Sequence, residues 1–343
     1  MKQSSRADRQ QEDSDPVSTI VNVTNLKKYF KVKTDIAGLF SRKASPVIKA
    51  VDGISFDIAA GEIMGLVGES GSGKSTIARL LTRLERPDAG EIWVDGLNVD
   101  RLVGPQLKEY YRRVQMIFQD PYESVNPRFM VYDTVVEPVK VQGLAPGNRH
   151  YDLVRLALER AGLKRVNEYL QKFPHELSGG ERQRLSIARA LVVEPKVLVA
   201  DEPVSMLDVS IKAGILNLLK ELSQKFEMTI LYVSHDLSTV KYLCDRIIIM
   251  YLGKFMEIGK AEDVIDHPQH PYTQALKAAI PNPDPRVQRP RLSSENIYEK
   301  SLLALRGCRY SNECPLVKDI CREKEPELKA VNDSRKAACH LYE

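Results

Sequence analysis

Apolar and polar residues alternate along two early segments of the chain. The first segment begins at residues 20–23 and continues towards Tyr29 and Phe30, and the second spans residues 47–58 and ends at Ala60-Gly61. Alternation with a period of two is typical of strands that bury one face. The two segments therefore predict an antiparallel sheet that lies beside the core of the molecule.

Short apolar or β-branched runs recur farther along the chain, and helical patterns at residues 76–81 and 211–225 separate some of them. Strands that alternate with helices indicate an α/β fold with a parallel sheet. The predicted strands of this part are residues 63–67, 91–96, 114–118, 196–200, 228–233, 246–251 and 254–258.

The spacing of apolar residues becomes helical between residues 131 and 193. Helices are predicted at residues 133–141, 151–161, 166–173 and 181–192. Because a core strand precedes this region and another follows it, we expect a helical subdomain, at about residues 120–193, inserted between two core strands.

Composition shifts divide the chain into three parts. Residues 1–18 are polar and charged and are predicted to be disordered. Residues 19–260 carry the strand and helix patterns and form the predicted main domain. Residues 261–343, called the C-terminal extension below, begin with a rise in proline content.

The overall composition fits a soluble globular protein and excludes several classes of function. The chain has 343 residues, 43% of them hydrophobic, and a net charge of +4 without a basic cluster interleaved with aromatic residues. This composition does not favour nucleic-acid binding. No apolar run is long enough to span a bilayer, and the N-terminus lacks the apolar core of a secretory signal. We therefore expect a cytosolic chain, in which five cysteines argue against disulfides.

The turn between the predicted strand 63–67 and the helix after it has the sequence G-x-x-x-x-G-K-S, a phosphate-binding loop. Glycines allow such a loop to bring backbone N–H groups against phosphate oxygens, and the helix N-terminus favours the same anion. We expect Lys74 to bridge the β- and γ-phosphates and the Ser75 hydroxyl to ligate Mg²⁺. The residues expected around the phosphates are Gly68, Glu69, Ser70, Gly71, Ser72, Gly73, Lys74, Ser75 and Thr76.

Two carboxylates, Asp201 and Glu202, follow the apolar run 197–200. We expect Asp201 to hold Mg²⁺ through its water shell and Glu202 to polarise the attacking water or accept its proton. Acid pairs at strand ends are common, so this pair indicates a nucleotide site only in combination with the phosphate loop that precedes it.

The segment Leu177-Ser178-Gly179-Gly180-Glu181-Arg182-Gln183 places a serine and two glycines at the start of a helix. Such an end offers N–H groups and a hydroxyl to an anion, although alone it equally fits an ordinary N-cap. Together with the phosphate loop and the acid pair, it makes residues 19–258 resemble the ABC-type ATPases, the ATP-binding-cassette subunits of transporters.

The resemblance implies roles for residues within one subunit. Phe30 would stack on the adenine, with Tyr29 as its alternative. Gln119 would reach Mg²⁺ and the attacking water and would sense a membrane partner. His235 would hydrogen-bond the γ-phosphate and steady Glu202. The catalytic residues would then be Glu202, His235, Gln119 and Lys74.

The resemblance also implies a dimer of cassettes. Ser178, Gly179 and Gly180 would bind the γ-phosphate of an ATP that the opposite subunit holds. Asp208 belongs to a segment, residues 205–208, that would cross the dimer interface; Met206 stands there where a small residue is more usual. Two ATP molecules would thus join two cassettes face to face.

The C-terminal extension resembles a narrower group. Residues 266–276 are similar to a segment of ATPases that serve oligopeptide and dipeptide importers, and residues 38–40 are similar to an insert of the same group. The segment by itself reads as a turn and a helix that pack on the core.

Four cysteines lie within a 32-residue stretch near the end of the chain: Cys308, Cys314, Cys321 and Cys339. Thiolates at such spacing can ligate an iron–sulfur cluster or zinc, and for zinc His340 is a further candidate ligand; unliganded thiols are the third option. The stretch resembles the four-cysteine [4Fe–4S] site of some peptide-importer ATPases, which implies such a cluster as a structural cross-link. Cys244 lies apart and is expected to be a core thiol.

The expected function is ATP hydrolysis that powers the import of oligopeptides or dipeptides, with ATP, Mg²⁺ and a [4Fe–4S] cluster as cofactors. The resemblance implies as partners a second cassette, expected to be a different chain, two transmembrane permease subunits and, indirectly, an external binding protein. This chain would then lie at the cytoplasmic face of the membrane. The alternatives are another cargo, an oligosaccharide or nickel, or an ABC ATPase that is not tied to transport. Other subunits would select the cargo.

Overall fold

The computed structural model describes residues 18–31, 47–280 and 306–342. Residues 1–17 of the predicted tail, the insert at residues 38–40 and most of the proline-rich part of the C-terminal extension lie outside the described residues.

A four-stranded antiparallel sheet forms one side of the fold, as the alternation predicts. Val21, Val23 and Leu26 of its first strand are buried in the same apolar cluster as Ile77 and Leu80, which belong to the helix after the phosphate loop. The sheet therefore covers that helix. Its strand order is β2-β1-β4-β5, and its strands are β1 (Thr19–Lys31), β2 (Val47–Ala59), β4 (Ala89–Val94) and β5 (Leu97–Asn98).

The central sheet has eight described strands in the order β11-β12-β10-β9-β3-β8-β7-β6. Neighbouring strands from β9 to β6 are parallel, and every residue of β3, β7 and β8 is buried, because helices cover both faces of a parallel sheet. The strands are β3 (Ile63–Val67), β6 (Val114–Ile117), β7 (Val197–Asp201), β8 (Thr229–Ser234), β9 (Arg246–Tyr251), β10 (Lys254–Lys260), β11 (Lys329–Asn332) and β12 (Arg335–Ala337).

Helices connect the strands, and the predicted helical subdomain is present between β6 and β7 as α3 to α7. No helix among the described residues is long and apolar enough to cross a membrane. The helices are α1 (Lys74–Leu81), α2 (Gly104–Arg113), α3 (Pro121–Ser124), α4 (Val131–Gln142), α5 (His150–Arg160), α6 (Val166–Tyr169), α7 (Gly179–Leu191), α8 (Val209–Phe226), α9 (Leu237–Leu243), α10 (Ala261–Asp266), α11 (Pro271–Ala278) and α12 (Asp319–Glu323).

Two helices have patterns too weak to predict from the sequence. Helix α2 buries Tyr110, whose hydroxyl donates to the Leu81 carbonyl, and packs the half-buried Leu107 against the core, so its apolar stripe is only about two residues long. Helix α9 has seven residues and begins after Asp236, whose side chain accepts from the Ser238 N–H as an N-cap. Helix α6 is shorter than the predicted helix 166–173.

The end of the C-terminal extension returns to the central sheet. Strand β12 pairs antiparallel with β10, with Glu257 opposite Ala337, and β11 pairs with β12 at the sheet edge. The buried Arg309 guanidinium also forms an ion pair with Asp52 on β2. The described part of the extension is therefore packed on both sheets.

Candidate active site

The phosphate loop joins the carboxyl end of β3 to α1, as predicted. A Cβ atom on Gly68 would lie 2.1 Å from the Met250 carbonyl oxygen, and one on Gly73 would lie 2.1 Å from the Ala50 carbonyl oxygen. Gly73 also has a φ of 112°, which L side chains rarely adopt. The glycines are therefore required by the close approach of two neighbouring strands and by the turn itself.

Lys74 is buried at the start of α1 and points back at the loop. Its Nζ donates to the carbonyl oxygens of Gly68 and Glu69, at 2.8 Å in each case. Burial lowers the pKa of Lys74, and the carboxylates of Glu202 and Asp201 oppose this change. The ammonium group thus lies between the loop and the acid pair, where it can neutralise phosphate charge.

Ser75 and Asp201 meet at the carboxyl ends of β3 and β7. The Ser75 hydroxyl donates to Asp201 Oδ1 at 3.2 Å. Burial raises the pKa of Asp201, while the Ser75 hydrogen bond and Lys74 favour its charged form. Hydroxyl and carboxylate oxygens are the ligands that Mg²⁺ prefers, so this pair fits the magnesium role expected from the sequence.

Glu202 is held by two side chains that the sequence analysis assigned to the same site. Its Oε2 lies 3.0 Å from His235 Nδ1 and 3.3 Å from Gln119 Nε2, which donates to it. The Glu202 backbone has a φ of 45°, a strained value for a residue other than glycine, and its N–H donates to the Val233 carbonyl. The carboxylate is thereby directed towards the phosphate loop.

The phosphate loop, except Ser72, lines one cavity of about 1040 Å³ together with Gln119, Glu202 and His235, whereas Asp201 does not line it. Phe30 lines this cavity, whereas the Tyr29 hydroxyl donates to Asp52. Further residues that were not predicted as site residues also line the cavity: Ala50, Asp236, Leu237, Ser238, Leu276, Ala279 and Ile280.

The predicted dimer residues lie outside this cavity. Ser178 is the N-cap of α7, with a capping box in which it accepts from the Glu181 N–H, and both Ser178 and Gly179 are exposed. Asp208 is the N-cap of α8 and is also exposed. None of these residues completes the cavity within this subunit.

The four cysteines of the extension are free thiols; Cys314 is half-buried and the other three are buried. Burial raises the pKa of Cys308 to about 12, and the neighbouring thiols Cys321, Cys339 and Cys314 contribute to that rise. Within residues 18–31, 47–280 and 306–342, no group of three or more His, Cys, Asp or Glu side chains is arranged to hold a metal ion. The expected metal-binding extension and its [4Fe–4S] cluster are therefore not supported.

A family model described as "ABC transporter" matches residues 51–205. A putative peptide import ATP-binding protein of Brucella ovis is 42% identical over 320 residues, which cover 93% of this chain and 97% of that protein. This chain belongs to the ABC transporter ATP-binding family. A second model, "Oligopeptide/dipeptide transporter, C-terminal region", matches residues 256–321 and confirms the narrower resemblance of residues 266–276.

Other similar proteins belong to the same family. The oligopeptide transport ATP-binding protein AppF of Bacillus subtilis is 42% identical, with 94% of this chain and 98% of that protein covered. The di/tripeptide transport ATP-binding protein DppF of Pseudomonas aeruginosa is 38% identical, with 95% and 99% covered. A dimeric bacterial ABC transporter cassette, MJ0796, has a TM-score of 0.61 at 27% identity and covers 71% of this chain and 99% of its own. These matches do not favour the alternative cargoes or a role outside transport.

Proposed function

We propose that this ABC ATPase hydrolyses ATP to power the import of oligopeptides or dipeptides. The observation that carries the hydrolytic role is the Glu202 carboxylate, which His235 and Gln119 hold at the cavity that contains the phosphate loop. The peptide cargo follows from the full-length peptide-import relatives and from the match of the C-terminal extension.

Residues in and beside the cavity would take separate roles in the reaction. Lys74 and the loop N–H groups would bind the β- and γ-phosphates, and Phe30 would pack on the base. Ser75, Asp201 and Gln119 would hold Mg²⁺, which supplies charge neutralisation to the leaving phosphates. Glu202 would take the proton of the attacking water, and His235 would keep that carboxylate in place.

A second cassette would complete the site. Ser178, Gly179 and Gly180 lie at a helix N-terminus outside the cavity, where they are available to the γ-phosphate of an ATP on a partner subunit. Asp208 would lie at the same interface. ATP binding would then close the pair of cassettes and hydrolysis would open it, which is a population shift driven by a ligand. The partner cassette would be a different chain.

A groove of about 300 Å³ beside the helical subdomain is where a permease would dock. Leu84 and Val141 line it, are more than half exposed, and lie near Phe118, which directly precedes Gln119. An apolar groove flanked by exposed large side chains is typical of a protein–protein contact. Docking here would place the chain at the cytoplasmic face of the membrane and would connect permease movement to Gln119.

The coupled function can be tested at this groove. A Leu84→Asp/Val141→Asp variant is expected to keep the ATPase rate of the two cassettes, measured without the permeases, within about twofold, because neither residue lines the cavity. Peptide uptake into proteoliposomes that contain the permeases and both cassettes should fall at least about tenfold, since two charges would have to be desolvated on docking. Leu156→Asp, on the exposed face of α5, is the matched control and should transport normally. Undiminished uptake by the double variant would contradict docking at this groove.

We further propose that Cys308, Cys314, Cys321 and Cys339 bind a [4Fe–4S] cluster that cross-links the C-terminal extension. Four thiols are the usual donor set of such clusters, and the Cys308 N–H donates to the Cys321 carbonyl at 2.7 Å, which supports a common site for at least these two cysteines. Zinc with His340 is less well supported, because His340 Nε2 already contacts the Lys324 carbonyl at 2.8 Å.

Replacing Cys314 with serine tests the cluster. Protein purified without oxygen should contain about four irons and four sulfides per chain, and Cys314→Ser should lose them while ATP affinity stays within about twofold. The control is Cys244→Ala, because that buried thiol lies beside Gly65 in the core and should not affect iron content. One zinc per chain, or no metal in the anaerobic parent protein, would refute the cluster.

A further inference from the structure

The C-terminal extension touches the phosphate loop through one hydroxyl group. The Glu69 backbone N–H donates to Tyr272 Oη at 3.1 Å. Tyr272 is completely buried, and burial raises its pKa, so the phenol remains neutral and able to accept. Glu69 is a residue of the loop itself, whereas Tyr272 lies 203 positions away on α11.

The contact fixes one peptide plane of the loop. The Gly68 carbonyl and the Glu69 N–H belong to the same planar peptide unit and point in opposite directions. The carbonyl accepts from Lys74 Nζ at 2.8 Å, and the N–H donates to Tyr272. A rotation of this plane would move the carbonyl that orients the Lys74 ammonium, so the Tyr272 hydroxyl acts on Lys74 through the peptide unit.

The start of α11 is built to hold Tyr272 in place. The His270 Nδ1 accepts from the Tyr272 N–H as the N-cap of α11, and Pro271 occupies the first helical position. Burial lowers the pKa of His270 to about 4, so the ring stays neutral and its Nδ1 keeps accepting. The backbone N–H of His270 in turn donates to the buried Glu257 carboxylate on β10 at 3.0 Å.

Aromatic packing supports the Tyr272 ring from its other sides. The rings of Tyr251 and Tyr310 lie 4.5 and 5.4 Å from it, centroid to centroid. Tyr251 comes from the end of β9, and Tyr310 from the segment between Cys308 and Cys314. Farther along α11, Leu276 lines the same cavity as the phosphate loop. The extension thus contributes to the nucleotide site at more than one point.

From these contacts we propose that Tyr272 is a positioning residue for ATP binding. It orients the Gly68–Glu69 peptide unit, and through it the Lys74 ammonium, so that the C-terminal extension sets the affinity of the site for the β- and γ-phosphates. The proposal rests on the proposed function, because its readout is nucleotide binding, but it concerns a residue of the extension that the hydrolytic mechanism does not require.

A Tyr272→Phe variant removes only the hydroxyl and leaves the ring packing. ATP affinity should fall about fivefold, the effect of one neutral hydrogen bond, while affinity for AMP should change by less than about 1.5-fold, because AMP lacks the phosphates that Lys74 contacts. The matched control is Tyr310→Phe, which removes a hydroxyl from the same aromatic cluster and should bind both nucleotides normally. Melting temperatures identify any variant that is merely unstable.

Two results would overturn the proposal: unchanged ATP affinity in Tyr272→Phe, or equal losses for ATP and AMP. Hydrogen exchange on the nucleotide-free parent protein gives a second test that requires no variant. The Glu69 amide should exchange slowly if it donates to Tyr272, and rapid exchange would refute the contact. Failure of the parent chain to bind ATP would refute the proposed function instead, so the two failures can be distinguished.

Discussion

A Glu202→Gln variant is expected to bind ATP as tightly as the parent chain and to hydrolyse it at least about a hundredfold more slowly. A positioned general base contributes about 10²–10⁴ to a rate, and an amide cannot take the proton of water at neutral pH. ATP binding should be retained because Glu202 does not position the phosphate-binding residues. Lys74 donates to the loop carbonyl of Gly68, and the Ser75 hydroxyl donates to Asp201.

Two measurements check this variant. Phosphate release under single-turnover conditions measures the chemical step, and size-exclusion chromatography of the variant with its partner cassette, Mg²⁺ and ATP should reveal an accumulated dimer of cassettes. Glu159→Gln, which changes an exposed carboxylate on α5, is the control and should behave as the parent. A Glu202→Gln variant that hydrolyses ATP at the parental rate would remove Glu202 from the role of base.

A Gly68→Ala variant is expected to lose at least about a hundredfold in ATPase activity. The added methyl group would meet the Met250 carbonyl oxygen at 2.1 Å and Ser72 Oγ at 2.9 Å, and the backbone carbonyl of a central strand cannot move aside. The loop must therefore shift, and it carries with it the Gly68 carbonyl that Lys74 contacts. A displacement of about 1 Å at a reacting centre costs about 10²-fold in rate.

The matched control is Gly147→Ala, because a Cβ atom at Gly147 has no atom within 4 Å and the residue does not have a positive φ. It should retain parental activity and melting temperature. Steady-state hydrolysis and binding of a fluorescent ATP analogue measure both variants. Activity within about threefold of the parent in Gly68→Ala would show that the close approach of loop and strand is not needed.

The sequence predicted the site best where the chemistry depends on residues close together in the chain. The phosphate loop and the pair Asp201–Glu202 follow buried strands, and the ends of parallel strands meet at one edge, so Ser75 and Asp201 are in contact as expected. The sequence alone does not separate Phe30 from Tyr29, because adjacent residues of a strand point to opposite faces; in the structure Phe30 lines the cavity and the Tyr29 hydroxyl donates to Asp52.

The remaining features depend on contacts between distant residues, and no local pattern encodes them. The hydrogen bond from Glu69 to Tyr272 joins the loop to a helix 203 positions away. The pairing of β12 with β10 involves only two residue pairs, and the three residues of β12 are too few to show an alternation. A stretch that looks polar and proline-rich in sequence therefore conceals a return of the chain to the core.

The position of β12 also affects how the protein is made. Strand β10 ends at Lys260 and its partner β12 begins at Arg335, so the edge of β10 has no β12 to pair with until the ribosome has added the residues between them. At about 5–20 residues per second this interval lasts roughly 4–15 s. Most residues of β10 are buried in the folded protein, and a strand edge that lacks its partner can pair with other chains. During synthesis, the edge of β10 is therefore open to such pairing after the candidate catalytic residues have been added and before β12 has.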